Sequence, residues 1–510
     1  MEIYKATLQR ERASRFEAEK ALAKADEEIK TLRQQKVHIQ IAAADKYFSQ
    51  EKWGKAGKAI SILLMYLDEP VLFFSRGLAH LRANNLDAAI VDFTKAIDLK
   101  PDYAEAYTNR GIARFKQEIW DQAIADFTKA IDLKPDYATA YVNRGAAHLE
   151  QGNWGRVITD STKAIDLKPD IAEAYINRGA ALAEQHDMDR AIADFTKAID
   201  LKPDIAAAYN NRGAARFRQE DWNRAVADFT KAIDLKPDYA EAYYNRGTAR
   251  AKQSDWNQAI ADYTEAINLK PDFAAAYNNR GTARAEQHDM DRAIADFTNA
   301  IDLKPDFATA HYNRGAAHFI QEDWNRAVAD FTKAIDLKPD YAEAYYSRGI
   351  AHAEQGDLDR AIADFSKAID LNPNYTEAYI SRGYAFFRDM NNQQALYDFV
   401  TLCRLQPDEP IWHINRGYLL FQFRDFKKAE EAWQTATALP AAPHFAFAGY
   451  AVALWKLRKY EKALAQYQIA IGIDERWRDD IQTVSTEYSW TDIMIQIARK
   501  IVAADSACRT

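Results

Sequence analysis

A 34-residue unit recurs along this chain, and no other feature restricts its fold as strongly. Nine close copies run from Pro70 to Tyr375. One reads YAEAYYNRGTARAKQSDWNQAIADYTEAINLKPD, from Tyr239 to Asp272. A fixed period of this length predicts a stacked array in which each unit packs on its neighbours, rather than a globule closed around one pocket. The functional question therefore moves from catalysis toward binding along an extended surface. Twelve units of this length fill Pro70 to Trp477, or 408 of 510 residues. The usual expectation of several domains for such a length gives way to the repeat.

Composition removes several classes of function. Hydrophobic residues make up 48% of the chain, enough for a continuous core. The formal charge is −8, and no run of five basic residues occurs, which argues against a nucleic-acid partner. Cys403 and Cys508 are the only cysteines, so neither a disulfide framework nor a CxxC metal site is available. That usage fits a reducing, cytoplasmic setting. The first residues, MEIYKATLQRERASRFEAEK, are charged throughout and do not read as a secretory leader. No run of 18 apolar residues predicts a membrane-spanning helix.

Within the unit that follows Tyr239, the apolar spacing predicts helices over Ala240–Lys252 and Trp256–Asn268. Asp255 stands where a helix N-cap belongs, as do Asp187, Asp221, Asp289, Asp323 and Asp357. Pro271 lacks an N–H and disfavours helix at Lys270, ending the second helix. Asp238 with Glu241 has the spacing of a capping box for the next helix; Asp102 with Glu105, Asp170 with Glu173 and Asp340 with Glu343 repeat it. Eleven of the 18 glycines fall at one mid-helix phase, from Gly77 to Gly417. Each costs about 1 kcal/mol relative to alanine there, which implies a close helix approach. Trp120, Trp154, Trp222, Trp256 and Trp324 share one phase at the start of second helices and read as packing residues.

Gly247, Ala259, Tyr263, Ala266 and Pro271 resemble the tetratricopeptide (TPR) pattern: glycine at eight, alanine at twenty, an aromatic at twenty-four, alanine at twenty-seven, proline at thirty-two. The resemblance implies an all-α, right-handed superhelical solenoid of about twelve to thirteen helix-turn-helix repeats. It also implies that the first helix of each pair lines a concave groove.

The edges depart from the pattern. Residues 1–36 read as a charged helix, with a weak coiled coil that would permit self-association and a solvated helix packed on the first repeat both open. Residues 37–69 form a degenerate repeat with Trp53, Ala56 and Ile60 in place. Eleven regular repeats occupy 70–443, a degenerate one 444–477, and a capping segment 478–510. In that last segment Ile493, Ile497 and Ile501, with Met494 and Val502, predict one apolar helix face.

Two columns stand out in the array. The sixth residue of successive units is Asn109, Asn143, Asn177, Asn211, Asn245, Asn279 and Asn313, then Ser347, Ser381 and Asn415. It resembles the asparagine ladder in the TPR domain of the O-linked N-acetylglucosamine transferase, which holds an extended polypeptide by its backbone. The resemblance implies peptide binding. An asparagine amide suits the task because it both donates and accepts. The alternative is that these amides bond within the array. One such bond nets about 1 kcal/mol, whereas ordering the three or so peptide residues that pass each repeat costs roughly 3–6 kcal/mol. Side-chain contacts must supply the difference, and Tyr244, Tyr312, Tyr346, Ile176, Ile380, Phe115, Phe217 and Phe319 are the groove candidates. The second column is arginine, from Arg76 to Arg416, matched in register by aspartates from Asp92 to Asp398. It predicts an Arg–Asp ladder between paired helices.

No P-loop, GxGxxG, HExxH or Ser-His-Asp order appears, and no cofactor is indicated. His318 and His352 lie one repeat apart, too far to share a metal. The expected function is a non-catalytic scaffold holding a partner's peptide segment in its groove. A regulatory subunit wrapping a folded enzyme, such as a protease or nuclease, is the alternative.

Overall fold

The computed structural model describes residues 26–27, 30–487 and 490–509; these form an all-α protein with no strand among the described residues. Two compact units divide the chain after Ser254. The first begins with a helix over 30–49 and one over Trp53–Leu63. Helix pairs follow, from Pro70–Arg82 with Leu86–Leu99 to Ala206–Arg218 with Trp222–Leu235, and it closes with Ala240–Lys252. The second begins with Trp256–Leu269 and continues as pairs from Ala274–Glu286 with Met290–Leu303 to His444–Lys456 with Tyr460–Ile473. Within each unit a second helix packs on the first helix of its own repeat, where both lie in that unit, and on the first helix of the next repeat. That is the solenoid the period predicts.

The small residues are where the helices touch. Ala191, Ala198, Ala293 and Ala300 are fully buried, as are their equivalents in the other regular repeats. A Cβ on Gly213 would lie 2.8 Å from the ring of Phe229, and one on Gly281 would lie 2.7 Å from Phe297. The glycine column therefore exists to admit the aromatic ring at the twenty-fourth position, which fills the space between paired helices. Gly145 is the exception, since it faces Ser161 at 3.4 Å.

Where the short turn carries an aspartate, that one residue serves both helix ends. The Asp187 N–H donates to Leu182 O at 2.9 Å, closing the preceding helix. Its carboxylate accepts from the Arg190 N–H at the start of the next. Asp221, Asp323 and Asp357 repeat the arrangement. Just before it, the chain adopts a left-handed conformation at Glu118, His186, Glu220, His288 and Glu322, and at Gly152 and Gly356.

The expected capping boxes do not form. The N-cap of Ala240–Lys252 is Tyr239, not Asp238, and no side chain caps that helix. Tyr103, Ile171 and Tyr341 likewise hold the N-caps that Asp102, Asp170 and Asp340 would occupy. The proline turn sets the helix start one residue later, so the carboxylate falls outside capping reach. The acids of two boxes turn elsewhere, with Glu105 3.6 Å from Lys134 and Glu173 3.7 Å from Lys202.

At the C-terminal end Asp492–Arg509 packs on both helices of the last pair. Met494, Ile497, Ala498 and Ile501 form its buried face, while Ile493 is turned outward. The helix over 30–49 is continuous across residue 36. Most of the heptad pattern expected for 1–36 lies outside the described residues.

Candidate functional site

The arginine column is built into the array. Arg178 donates from Nε and Nη2 to the two carboxylate oxygens of Asp194, each at 2.8 Å. Its Nη1 reaches back to Thr162 on the preceding second helix at 3.2 Å, and its guanidinium lies over the ring of Tyr175. One side chain thereby ties three helices together. The bond to Asp194, opposed by burial and reinforced by the neighbouring charge, holds the arginine above its ordinary pKa. The same bidentate bond recurs from Arg76–Asp92 to Arg212–Asp228 in the first unit and from Arg280–Asp296 to Arg382–Asp398 in the second. A second cation reinforces some rungs, with Arg216 adding a bond to Asp228 at 2.7 Å and Arg284 one to Asp296. Histidine takes that place elsewhere, and His318 Nε2 lies 3.9 Å from Asp330. Burial pushes His318 and His148 below the usual histidine range, against the pull of the nearby aspartates. The expected ladder is present as far as Arg382, and its paired arginines are engaged by carboxylates of the same chain.

The sixth-position column lies on the first helices, and its residues are partly buried. Its amides bond mainly to neighbouring repeats. Asn177 donates to Val142 O at 3.3 Å, Asn245 to Asn210 at 3.1 Å and Asn313 to Asn278 at 3.0 Å. Asn210 and Asn278 donate in turn to Asn211 and Asn279. Asn109 donates to Glu105 O of its own helix and Asn415 to the Tyr384 hydroxyl. The buried amide nitrogen of Asn143 has no acceptor among the described residues. Ser347 and Ser381 face the hydroxyls of Tyr312 and Tyr346 at 3.3 and 3.4 Å. A bridge from the fifth position of one repeat to the sixth of the next thus recurs at Asn177, Asn245, Asn313, Ser347 and Ser381. Asn210 and Asn278 were not singled out by the sequence, although the YNNR runs that contain them are its visible sign.

The aromatic candidates are partly buried on the same helices. Tyr312 and Tyr346 pack on Tyr341 and Tyr375, at 5.0 and 5.1 Å between ring centres. Burial and Tyr312 push the Tyr341 hydroxyl up to about 12. Phe115, Phe217 and Phe319 stack edge-on against Trp120, Trp222 and Trp324 at 4.7–4.9 Å. Tyr244 is partly buried like the rest, as are Ile176 and Ile380.

Shallow recesses lie along this face, and four of them contain a column residue. Asn109 shares one of about 350 Å³ with Leu78 and Ile112. Asn211 shares one of about 330 Å³ with Leu149, Phe195 and Arg218. Ser381 and Ile380 share one of about 190 Å³, and Asn415 borders another of about 340 Å³ walled by aromatic rings. Among the described residues no group of three or more His, Cys, Asp and Glu could hold a metal ion, and no helix is long and apolar enough to cross a membrane.

Comparison with known proteins identifies the repeat. A tetratricopeptide-repeat model matches residues 172–205, 240–273 and 342–375. A TPR-repeat model matches 77–118, 115–152, 214–254, 282–321 and 317–356, and a further tetratricopeptide-repeat model matches 414–477. Together they cover more than half of the chain. No curated protein matches it. Among solved structures the chain is similar to YrrB, described as a TPR protein with an unusual peptide-binding site, at 23% identity over 37% of this chain and 97% of that one, with a TM-score of 0.33. It is similar to MamA at 27% identity over 32% and 96%, with a TM-score of 0.31. A tetratricopeptide repeat protein from Parabacteroides merdae ATCC 43184 shares 17% identity over 49% and 98%, with a TM-score of 0.38.

Proposed function

Because this chain belongs to the tetratricopeptide-repeat family, whose members generally serve as non-catalytic protein-interaction scaffolds, we propose that its first-helix face binds an extended peptide segment of a protein partner. The observation that carries this is the recurrence of recesses beside the sixth-position column, at Asn109, Asn211, Ser381 and Asn415. Each pairs an amide or hydroxyl with apolar walls, the combination needed to hold a peptide unit and one of its side chains. An asparagine that bridges repeats through one N–H keeps a second N–H and a carbonyl oxygen with further hydrogen-bonding capacity. Tyr244, Tyr312, Tyr346, Phe115, Phe217 and Phe319 supply contact area and vary along the array, so they set which segment binds. The arginines from Arg76 to Arg212 and from Arg280 to Arg382 take no part, because Asp residues hold their guanidiniums.

The experiment is a peptide array probed with the full chain. Capture of short linear segments is expected, with weaker capture by a chain carrying Asn211→Ala, Asn245→Ala and Asn279→Ala together. Binding confined to an intact folded domain, with no linear segment captured, contradicts the proposal.

A further inference from the structure

Near the end of the second unit the repeat changes at two matched places. The twenty-fourth position, phenylalanine at Phe331, Phe365 and Phe399, becomes Trp433. The sixth position, asparagine or serine as far as Asn415, becomes Gly449. These two residues meet. A Cβ on Gly449 would lie 2.8 Å from Trp433 Cε2 and 2.9 Å from its Nε1, so glycine is what admits the larger ring. The indole is 1% exposed, and its Nε1–H has no acceptor among the described residues. A buried donor left unpaired forfeits its hydration without return.

Trp433 and Gly449 line the cavity of about 340 Å³ that Asn415 borders. Its other walls include Tyr384, Phe387, Tyr418 and Trp490. Tyr384, 41% exposed, marks the mouth, and the buried Trp433 marks the floor. Glu487 also borders the cavity, but Arg476 holds its carboxylate at 2.7 Å, so the site offers no uncompensated charge to a cationic guest. A purely apolar guest would leave the floor donor unpaired.

We propose that this cavity binds the phenol of a tyrosine side chain carried on a peptide segment. The ring packs among the aromatic walls, and the phenolic oxygen at its tip accepts from Trp433 Nε1–H. This rests on the reading that the first-helix face takes peptides, and it assigns one recess a side-chain class.

The test uses the full chain, ¹⁵N-labelled at tryptophan, and two probe peptides, Ac-Gly-Gly-Tyr-Gly-Gly-NH₂ and its phenylalanine counterpart. Trp433→Phe identifies the indole signal by its loss and restores the side chain of the neighbouring repeats, so the fold is kept. The tyrosine peptide should shift that signal saturably and bind several-fold tighter than the phenylalanine peptide. In Trp433→Phe the two should bind equally. A signal that does not move, or equal affinities in the unaltered chain, overturns the proposal. If array peptides are captured while the Trp433 signal stays still, this site fails and the peptide reading stands. If no peptide is captured at all, both fail.

Discussion

Two stretches of the second unit hold themselves together in different ways. Across residues 274–409 each repeat carries a hydrogen-bonded Arg–Asp pair clasped to the hydroxyl of the preceding repeat, as in Arg348 with Asp364 and Thr332. Beyond 410 that device stops. Arg416 keeps the column, but Ala432 stands where the aspartate would be and Val400 where the hydroxyl would be. A cluster of large buried side chains takes over, including Trp433, Tyr467, Trp477, Met494 and Ile501. In the regular stretch alanine and glycine bring helices close, and the polar pair fixes which residues face each other. At the end, bulk and shape do this, and the final helix closes the core.

The largest expected effect breaks this contrast directly. Arg348→Met strands a carboxylate that is almost wholly buried and should lower stability by about 3 kcal/mol in urea unfolding. Arg416→Met removes no carboxylate partner and should change it by less than about 0.5 kcal/mol. Similar losses in both would show that the arginine stem, not the pair, carries the stability.

Next come the glycines. Gly281→Ala forces a methyl against Phe297 and the Ala293 carbonyl and should cost about 2 kcal/mol. Gly145→Ala, whose new methyl would meet nothing closer than Ser161 Oγ at 3.4 Å, should be neutral or gain up to about 1 kcal/mol of helix propensity. Equal losses would remove the aromatic ring as the cause.

Acid should weaken both stretches through histidine. Burial lowers the pKa of His318 in the ladder and of His444 at the end. His444 Nδ1 also accepts from Trp477 Nε1 at 2.7 Å, which requires an unprotonated nitrogen. Each group binds its proton more readily when unfolded. Its contribution is therefore intact above the ordinary value of about 6.5 and is lost as pH falls through that value toward the lower folded one. His318→Arg, which copies the Arg284–Asp296 contact, should flatten the fall of urea midpoints as pH drops below about 6.5. An unchanged profile would place the acid lability elsewhere.

The smallest effect concerns the turns. Glu322 holds φ of 60°, where glycine is unstrained, so Glu322→Gly should gain up to about 1 kcal/mol. Gly356→Ala, at φ of 80°, should lose a similar amount.

The parts legible in the sequence were those written locally and repeatedly. Asp255 and its equivalents cap second helices because the residue type and helical phase lie within one turn. The Arg–Asp ladder was legible because both columns keep a single spacing. The capping boxes were not legible because the proline turn fixes where each first helix begins, and the folded turn puts Tyr239 at that N-cap. The left-handed turn residue was hidden by its variety, since glutamate, histidine, serine, methionine and arginine all occupy it. The bridge from Asn245 to Asn210 depends on how adjacent repeats overlap, which no single unit contains. The aromatic cavity depends on Trp433 and Gly449 changing together across two repeats, and repeat counting averages such pairs away.

The most direct test compares two variants in one pair of assays, peptide affinity and urea midpoint. The Asn211→Ala, Asn245→Ala and Asn279→Ala chain should bind a captured peptide at least about tenfold more weakly, while stability falls by little more than the ~1 kcal/mol of the Asn245–Asn210 bond. Asp228→Ala should do the opposite, lowering the midpoint and leaving affinity nearly unchanged. A triple variant that unfolds far more easily yet binds as before would contradict the division between a binding face and a structural ladder.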